Sequence, residues 1–241
     1  MTEDTTPKPR ANRRARLREQ TTGEIKDIAL RLMSEGGPDA ISLRAIAREM
    51  GMTAGAIYSY FRTRDDLVTT LIGDVYSELV DAAQAARDTV PASDPGGRLM
   101  AWAQAMREWA INEPAGFRLI YGDPVPGYQA PPDGPGKAAE LRACTSLTDL
   151  VAAAWPTAAP LQKDGRAYTW DEFDSNLVAH VREEFPDLPP EALALTMRVW
   201  GRMHGLVALE IYGHLRPLIH DPATIHHDEM RALVTSLGLT A

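Results

Sequence analysis

The sequence predicts an all-α protein, and three observations carry that expectation. Apolar residues recur at spacings of three and four through most of the 241 residues, the period of a helix with one buried stripe. Proline and glycine gather in the gaps between these stretches. No segment alternates apolar and polar residues long enough for a strand, and no internal repeat is present.

The elements follow in order. Residues 1–18 read as a flexible arm in which Lys8, Arg10, Arg13, Arg14, Arg16 and Arg18 form a basic run with no acid between them. Such an arm neutralises phosphates or lies in a minor groove; the alternative is a solvated tail, and an arm disordered when free and ordered on DNA satisfies both. A first helix spans about 20–35, with Ile25, Ile28, Ala29, Leu32 and Met33 as its stripe and Gly36-Gly37 as its stop. Residues 42–61, SLRAIAREMGMTAGAIYSYF, read as two short helices about a tight turn. Ser42 is the N-cap of the first; Leu43, Ile46, Ala47 and Met50 form its apolar face, and Gly51 ends it. Thr53 caps the second, whose apolar side is Ala56, Ile57, Tyr60 and Phe61. Helix, glycine turn, helix is the DNA-binding helix-turn-helix, whose second helix enters the major groove. The alternative is a helical hairpin in an ordinary core. A long helix starts after Thr63 and reaches about 88, with Leu67, Val68, Leu71, Ile72, Val75, Tyr76, Leu79 and Val80 as a wide apolar face.

Beyond the break at 91–97 the pattern predicts helices at about 98–112, from Pro114 to near Gly122, 137–155, 173–185, 190–215 and 224–238. The stretch 123–136, DPVPGYQAPPDGPG, is too rich in proline and glycine for regular structure, and 156–172 is a second irregular connection. The expected domains are the arm at 1–18, a helix-turn-helix domain at 19–66, and a helical ligand-binding and dimerisation domain at 67–241.

The net charge of −8 divides unevenly. Residues 1–70 hold 12 Lys+Arg against 10 Asp+Glu, and residues 71–241 hold 13 against 23. The acidity lies outside the helix-turn-helix, which argues for one localised contact face on DNA and against a general nucleic-acid coat. No apolar run approaches the roughly 18 residues of a membrane helix, and the basic N-terminus lacks the apolar core of a secretory signal. The single cysteine, Cys144, forbids an intrachain disulfide and suits the cytoplasm; it reads as a small core residue. His214, His220, His226 and His227 lack metal-site spacing, and no nucleophile motif, phosphate loop or paired-carboxylate helix stands out. The carboxylates of 171–174, DEFD, read as an exposed helix start. No enzyme activity, metal or cofactor is expected.

Residues 21–68 resemble the TetR family of bacterial one-component regulators. The resemblance rests on the first stripe, SLRAIAREMGMT, GAIYSYF, and the TRDDL that opens the fourth helix. It implies a repressor that binds a palindromic operator as a homodimer and is released by a small-molecule effector. It also implies that Tyr58 and the basic residue heading the fourth helix grip phosphates. That residue is more often lysine in the family; here it is Arg64, which keeps the charge and changes the geometry. Residues 196–215, through Trp200, His204 and Gly205, look like the WHG type of TetR C-terminal domain.

The residue types sketch the sites. Arg44 reaches a guanine edge or a phosphate. Thr53 offers a hydroxyl at a helix N-terminus, and Ala54 and Gly55 allow close backbone approach. Tyr58, Ser59 and Tyr60 supply hydroxyls; Tyr58 lies off the apolar side, whereas Tyr60 is also placed to pack. Arg13 and Arg14 join them from the arm. For dimerisation, Gly201, Gly205 and Ala208 fall on one side of the 190–215 helix, with Tyr212 one turn on. Interior glycines cost about 1 kcal/mol each against alanine, a cost that close helix approach offsets, either to a partner or within the chain. Ligand candidates are the aromatic residues Trp102, Trp109, Phe117, Tyr121, Trp155, Trp170, Phe173 and Trp200, with His204; residues of this type at helical spacing are more often plain core.

Overall fold

The computed structural model describes residues 9–131, 134–162 and 166–240, with the side chains of 9–12 excepted. Lys8 and the start of the expected arm lie outside these residues. The described residues form ten α-helices and no strand: α1 (Pro9–Gly36), α2 (Leu43–Glu49), α3 (Ala54–Ile57), α4 (Arg64–Asp88), α5 (Pro95–Asn112), α6 (Pro114–Tyr121), α7 (Pro135–Ala158), α8 (Ser175–Glu184), α9 (Pro190–Ile211) and α10 (Pro222–Ser236).

The largest departure from expectation is at the start. From Pro9 onward the supposed arm is helical and continuous with the first helix. Pro9 sits in the first turn, where its missing N–H costs nothing, and Ala, Arg, Leu, Glu and Gln that follow are strong helix formers with no breaker among them. Elsewhere the boundaries shift where a cap sets them. Asp94 accepts from the Gly97 N–H and starts α5 earlier than expected. Asp174, the last of the DEFD carboxylates, accepts from the Asn176 and Leu177 N–H groups and caps α8. α9 stops at Ile211 rather than 215, because Gly213 takes φ 80° and the His214 N–H bonds back to the Leu209 carbonyl. α7 runs on through Pro156 to Ala158.

The chain divides into two compact units, Met1–Ile72 with Ala115–Pro132, and Gly73–Pro114 with Asp133–Ala241. The sequence places the end of the helix-turn-helix domain between 66 and 67. In the structure α4 carries residues of both units, and α6 with its following loop groups with the helix-turn-helix. The first unit buries Ile25, Ala29 and Met33 of α1, Leu43, Ile46 and Ala47 of α2, Ile57, Phe61, Leu67, Val68 and Leu71, together with Phe117, Leu119 and Val125. Burying side chains of this size contributes about 1.5–3 kcal/mol apiece. In the second unit α9 packs on α5, α7 and α10. Its core includes Leu99, Met106, Leu150, Val151, Leu193, Val199, Met203, Met230 and Leu233. A bidentate ion pair joins α5 to the end of α9: Arg107 donates to both carboxylate oxygens of Glu210 at 2.8 and 2.7 Å. No described helix is long and apolar enough to cross a membrane.

Candidate nucleic-acid interface

The turn between α2 and α3 is built as its residues require. Gly51 takes φ 66°, its N–H bonds to the Arg48 carbonyl, and the Met52 N–H reaches back to Ala47. The Ala47 and Arg48 carbonyls at the end of α2 are thereby satisfied. Ser42 occupies the N-cap position of α2 without a side-chain bond. Thr53 caps α3: its Oγ1 accepts from the Ala56 N–H at 3.2 Å. α3 has only four residues, and tighter turns continue it to Phe61, with the Ser59 and Tyr60 N–H groups bonded to the Ala56 and Ile57 carbonyls. Ile57 and Phe61 anchor this segment in the core.

What remains outside is the expected contact surface. Arg44, Thr53, Ala54, Gly55, Tyr58 and Ser59 are exposed and Tyr60 is half-buried. A Cβ built on Gly55 would meet no atom of the described residues within 4 Å, so that backbone is open to a ligand. Among the described residues the Tyr58 hydroxyl has no protein hydrogen-bond partner, although the residue is 43% exposed. Ser59 Oγ donates to the Ala56 carbonyl at 2.7 Å. Arg13, Arg14, Arg16, Arg44, Arg48 and Arg62 are exposed and make no ion pair among the described residues.

Two arginines are employed differently. Arg18 donates to the Ser59 carbonyl at 2.7 Å, and its guanidinium lies 4.8 Å from the Tyr60 ring centroid. It fastens the N-terminal stretch of α1 to the end of the recognition segment, and it explains why Tyr60 packs rather than projects. Arg64, expected to grip a phosphate, turns inward: Nε donates to the Ile41 carbonyl at 3.0 Å, Nη2 to Pro38 at 3.1 Å and Nη1 to Pro126 at 2.9 Å. Three of the five N–H groups of a guanidinium are thus already bonded to carbonyls of the chain itself. Thr63 and Asp66 cap each other's backbone N–H groups at the head of α4. Arg31 of α1 pairs with Glu35 and with Glu49 of α2 and braces the two helices.

The eight aromatic ligand candidates are divided between the two units. Phe117 and Tyr121 belong to the first unit, their ring centroids 5.1 Å apart. Trp102 is core, donating to Ser146 Oγ at 3.2 Å, and Trp109 is buried nearby in sequence on the same helix. Trp200 is 38% exposed and stacks on His204, whose imidazole is pushed below its usual pKa by burial. Trp155, Trp170 and Phe173 do come together, packed with Leu177 and Phe185 against buried Val181, Leu188, Ala192 and Leu193. Sequence reasoning missed the polar partners inside this unit. Thr145 bonds His180 at 2.6 Å, and His226 is buried close to the Arg107–Glu210 pair. Pairs 35 and 103 residues apart leave no local pattern to read. Cys144 is half-buried, and burial raises its thiol pKa, as an inert small residue requires. Among the described residues no group of three or more His, Cys, Asp or Glu could hold a metal ion.

On the expected dimer face, Gly201 and Tyr212 are exposed and Gly205 and Ala208 are half-buried. A Cβ built on Gly201 or Gly205 meets no heavy atom within 4 Å, so an intrachain crossing does not account for these glycines. Around them Met197, Trp200 and Leu209 of α9 and Ile225 of α10 are also exposed.

Comparison with known proteins agrees with this architecture in both units. The family described as "Bacterial regulatory proteins, tetR family" matches residues 25–71, and "Tetracyclin repressor-like, C-terminal domain" matches 99–233. An HTH-type transcriptional regulator of Mycobacterium tuberculosis, Rv1816, is 34% identical over 95% of this chain and 97% of its own. The crystal structure of SCO4313 superposes with a TM-score of 0.71 at 32% identity, over 95% of this chain and 100% of that one. A tetR-family regulatory protein from Rhodococcus RHA1 shares the fold, with a TM-score of 0.58 at 18% identity over 91% of this chain and 98% of that one.

Proposed function

Because this chain belongs to the TetR family of bacterial transcriptional regulators, which bind DNA and are not enzymes, we propose that it is a repressor that binds a palindromic operator as a homodimer and leaves it when a small molecule binds. One observation carries the reading. The recognition segment presents uncharged Thr53, Ala54, Gly55, Tyr58 and Ser59, and the same unit carries exposed Arg13, Arg14, Arg44, Arg48 and Arg62, which make no ion pair among the described residues. Exposed cations serve phosphates, and small or hydroxylated residues admit base edges. Tyr58 and the α1 cations grip the backbone, while Arg44 and Ser59 read sequence.

One short recognition segment makes few base contacts, so two copies on a two-fold axis are needed. The exposed apolar face of α9 and α10 supports a four-helix interface between copies, with Gly201, Gly205 and Ala208 at its close approach. The aromatic cluster of Trp155, Trp170 and Phe173 is the proposed effector site, an apolar setting of the kind small-molecule sites favour. The effector dissociates DNA only through its higher affinity for the state that does not bind DNA. The protein acts in the cytoplasm, where the operator is. Selection of duplexes from a random pool by the purified protein tests the reading. The expected result is a palindrome bound with steep salt dependence; a pool that stays random after selection refutes it.

A further inference from the structure

The structure gives Arg64 a use that its place at the head of α4 does not announce. Its guanidinium joins three segments of the first unit: the carbonyl of Pro38 between α1 and α2, that of Ile41 just before α2, and that of Pro126 in the loop 123–131. The third acceptor depends on a specific turn. Val125-Pro126-Gly127-Tyr128 closes with the Tyr128 N–H on the Val125 carbonyl at 3.1 Å, and Gly127 takes φ 72°. Proline second and a left-handed glycine third define a type II turn, whose central peptide is flipped by half a rotation relative to type I. The central carbonyl is that of Pro126, the one that Arg64 holds. Buried Val125 and a 2.9 Å bond between Tyr128 and Thr69 of α4 hold the same loop down.

We infer that Arg64 is a positioning residue of the DNA-binding unit: through the type II turn at 125–128 it makes the 123–131 loop a structural part of the helix-turn-helix and sets the pose of α2 and α3. This inference rests on the DNA-binding reading above. It explains arginine where a lysine would serve a phosphate, since one ammonium lacks the planar fork that reaches three separated carbonyls. It also gives Gly127 a role: a Cβ there meets nothing within 4 Å, so alanine would act on the backbone conformation alone. By sequence this loop continues α6 and leads to α7, so the segment joining two helices of the larger stretch of chain also shapes the DNA reader.

The test uses the full chain, a selected operator duplex, and Arg64→Ala, Arg64→Lys, Gly127→Ala and the double variant Arg64→Ala/Gly127→Ala. Arg64→Ala and Arg64→Lys are each expected to weaken operator binding on the order of tenfold, the size of effect that losing charge-assisted hydrogen bonds has. Their dependence of affinity on salt should match the native protein, because the same phosphates stay neutralised. Gly127→Ala should weaken binding in the same way, and the double variant should be no weaker than Arg64→Ala alone, because the bond to Pro126 that Gly127→Ala disturbs is one of the three that Arg64→Ala removes. In the free protein, amide hydrogen exchange over residues 36–61 should quicken in Arg64→Ala and Gly127→Ala, while the second unit exchanges as before. Any one of four results overturns the inference: native affinity in Arg64→Lys, a salt slope shallower by about 0.9 in Arg64→Ala, additive effects in the double variant, or unchanged exchange over 36–61. The exchange arm needs no DNA. A native protein that binds no duplex would fail the DNA-binding reading, and exchange would still decide the role of Arg64.

Discussion

Tyr58 shows how much one exposed hydroxyl can decide. It stands free on the recognition segment, and a phosphate contact carries no sequence information. Tyr58→Phe should therefore weaken binding by a similar factor on every duplex, about 1 kcal/mol for a missing hydrogen bond, whereas Arg44→Ala should change the order of preference among duplexes. Parallel titrations of three or four selected operators separate the two effects; native affinity in Tyr58→Phe would remove the residue from the DNA contact. His226 is the corresponding case in the interior. Burial, with the Arg107 guanidinium nearby, pushes its pKa down to about 4. The unfolded chain takes up a proton near pH 6.5, and the folded chain does not until about pH 4. Stability is thus full above pH 6.5 and falls as the pH drops toward 4, by on the order of 2 kcal/mol. Thermal melts at pH 7 and pH 5 should show a smaller difference in His226→Leu than in the native protein.

At the scale of elements, the basic start of α1 is a helix continuous with the rest of α1 rather than a loose arm. Arg18 ties it to the Ser59 carbonyl, and Arg14 lies one helical turn earlier on the same side. The cations are held in place before DNA arrives, so less ordering entropy opposes binding than for a free tail. Replacing Arg13 and Arg14 by alanine should flatten the salt slope by about 0.9 for each phosphate no longer neutralised, with little change in stability. An unchanged slope would mean that neither residue touches DNA. Within the second unit, the Arg107–Glu210 pair holds α5 to the end of α9, with side chains only 9% and 18% exposed. Arg107→Met strands a partly buried carboxylate, and urea titration should show a loss of about 3 kcal/mol. A loss below about 1 kcal/mol would place the pair among surface bridges.

For the whole molecule, the open glycines of α9 set the decisive experiment. Among the described residues no heavy atom lies within 4 Å of a Cβ built on Gly205, so Gly205→Leu should fold as the native protein does. If two copies meet there, the leucine blocks the close approach. Sedimentation should then give a monomer, and palindromic DNA should no longer be bound with two recognition segments about 34–36 Å apart. A dimeric Gly205→Leu protein with native DNA binding would move the interface elsewhere.

Local chemistry is legible throughout the sequence. The helical period, Gly51 at the turn, Thr53 as a cap, the buried side of Ile57 and Phe61, and the exposed Tyr58 all follow from residues a few positions apart. A helix face or a cap depends only on neighbours one turn away. Boundaries differ from expectation where one short-range signal outweighs the apolar period, as with Gly213 after α9 and the uninterrupted helix formers before Thr21. The partners of charged side chains are not legible. Arg18 meets residue 59, Arg64 meets residue 126 and Arg107 meets residue 210, across 41, 62 and 103 positions. A cation on a helix surface has the same local pattern whether it faces a phosphate or a carbonyl of its own chain. Sequence by itself therefore determined the helices, the reader of DNA and the family. Tertiary structure alone decided which arginines bond to carbonyls of their own chain, and that a proline-rich loop belongs with the reader. Those outcomes depend on which backbone carbonyls the folded chain brings within reach, and no local period encodes that distance.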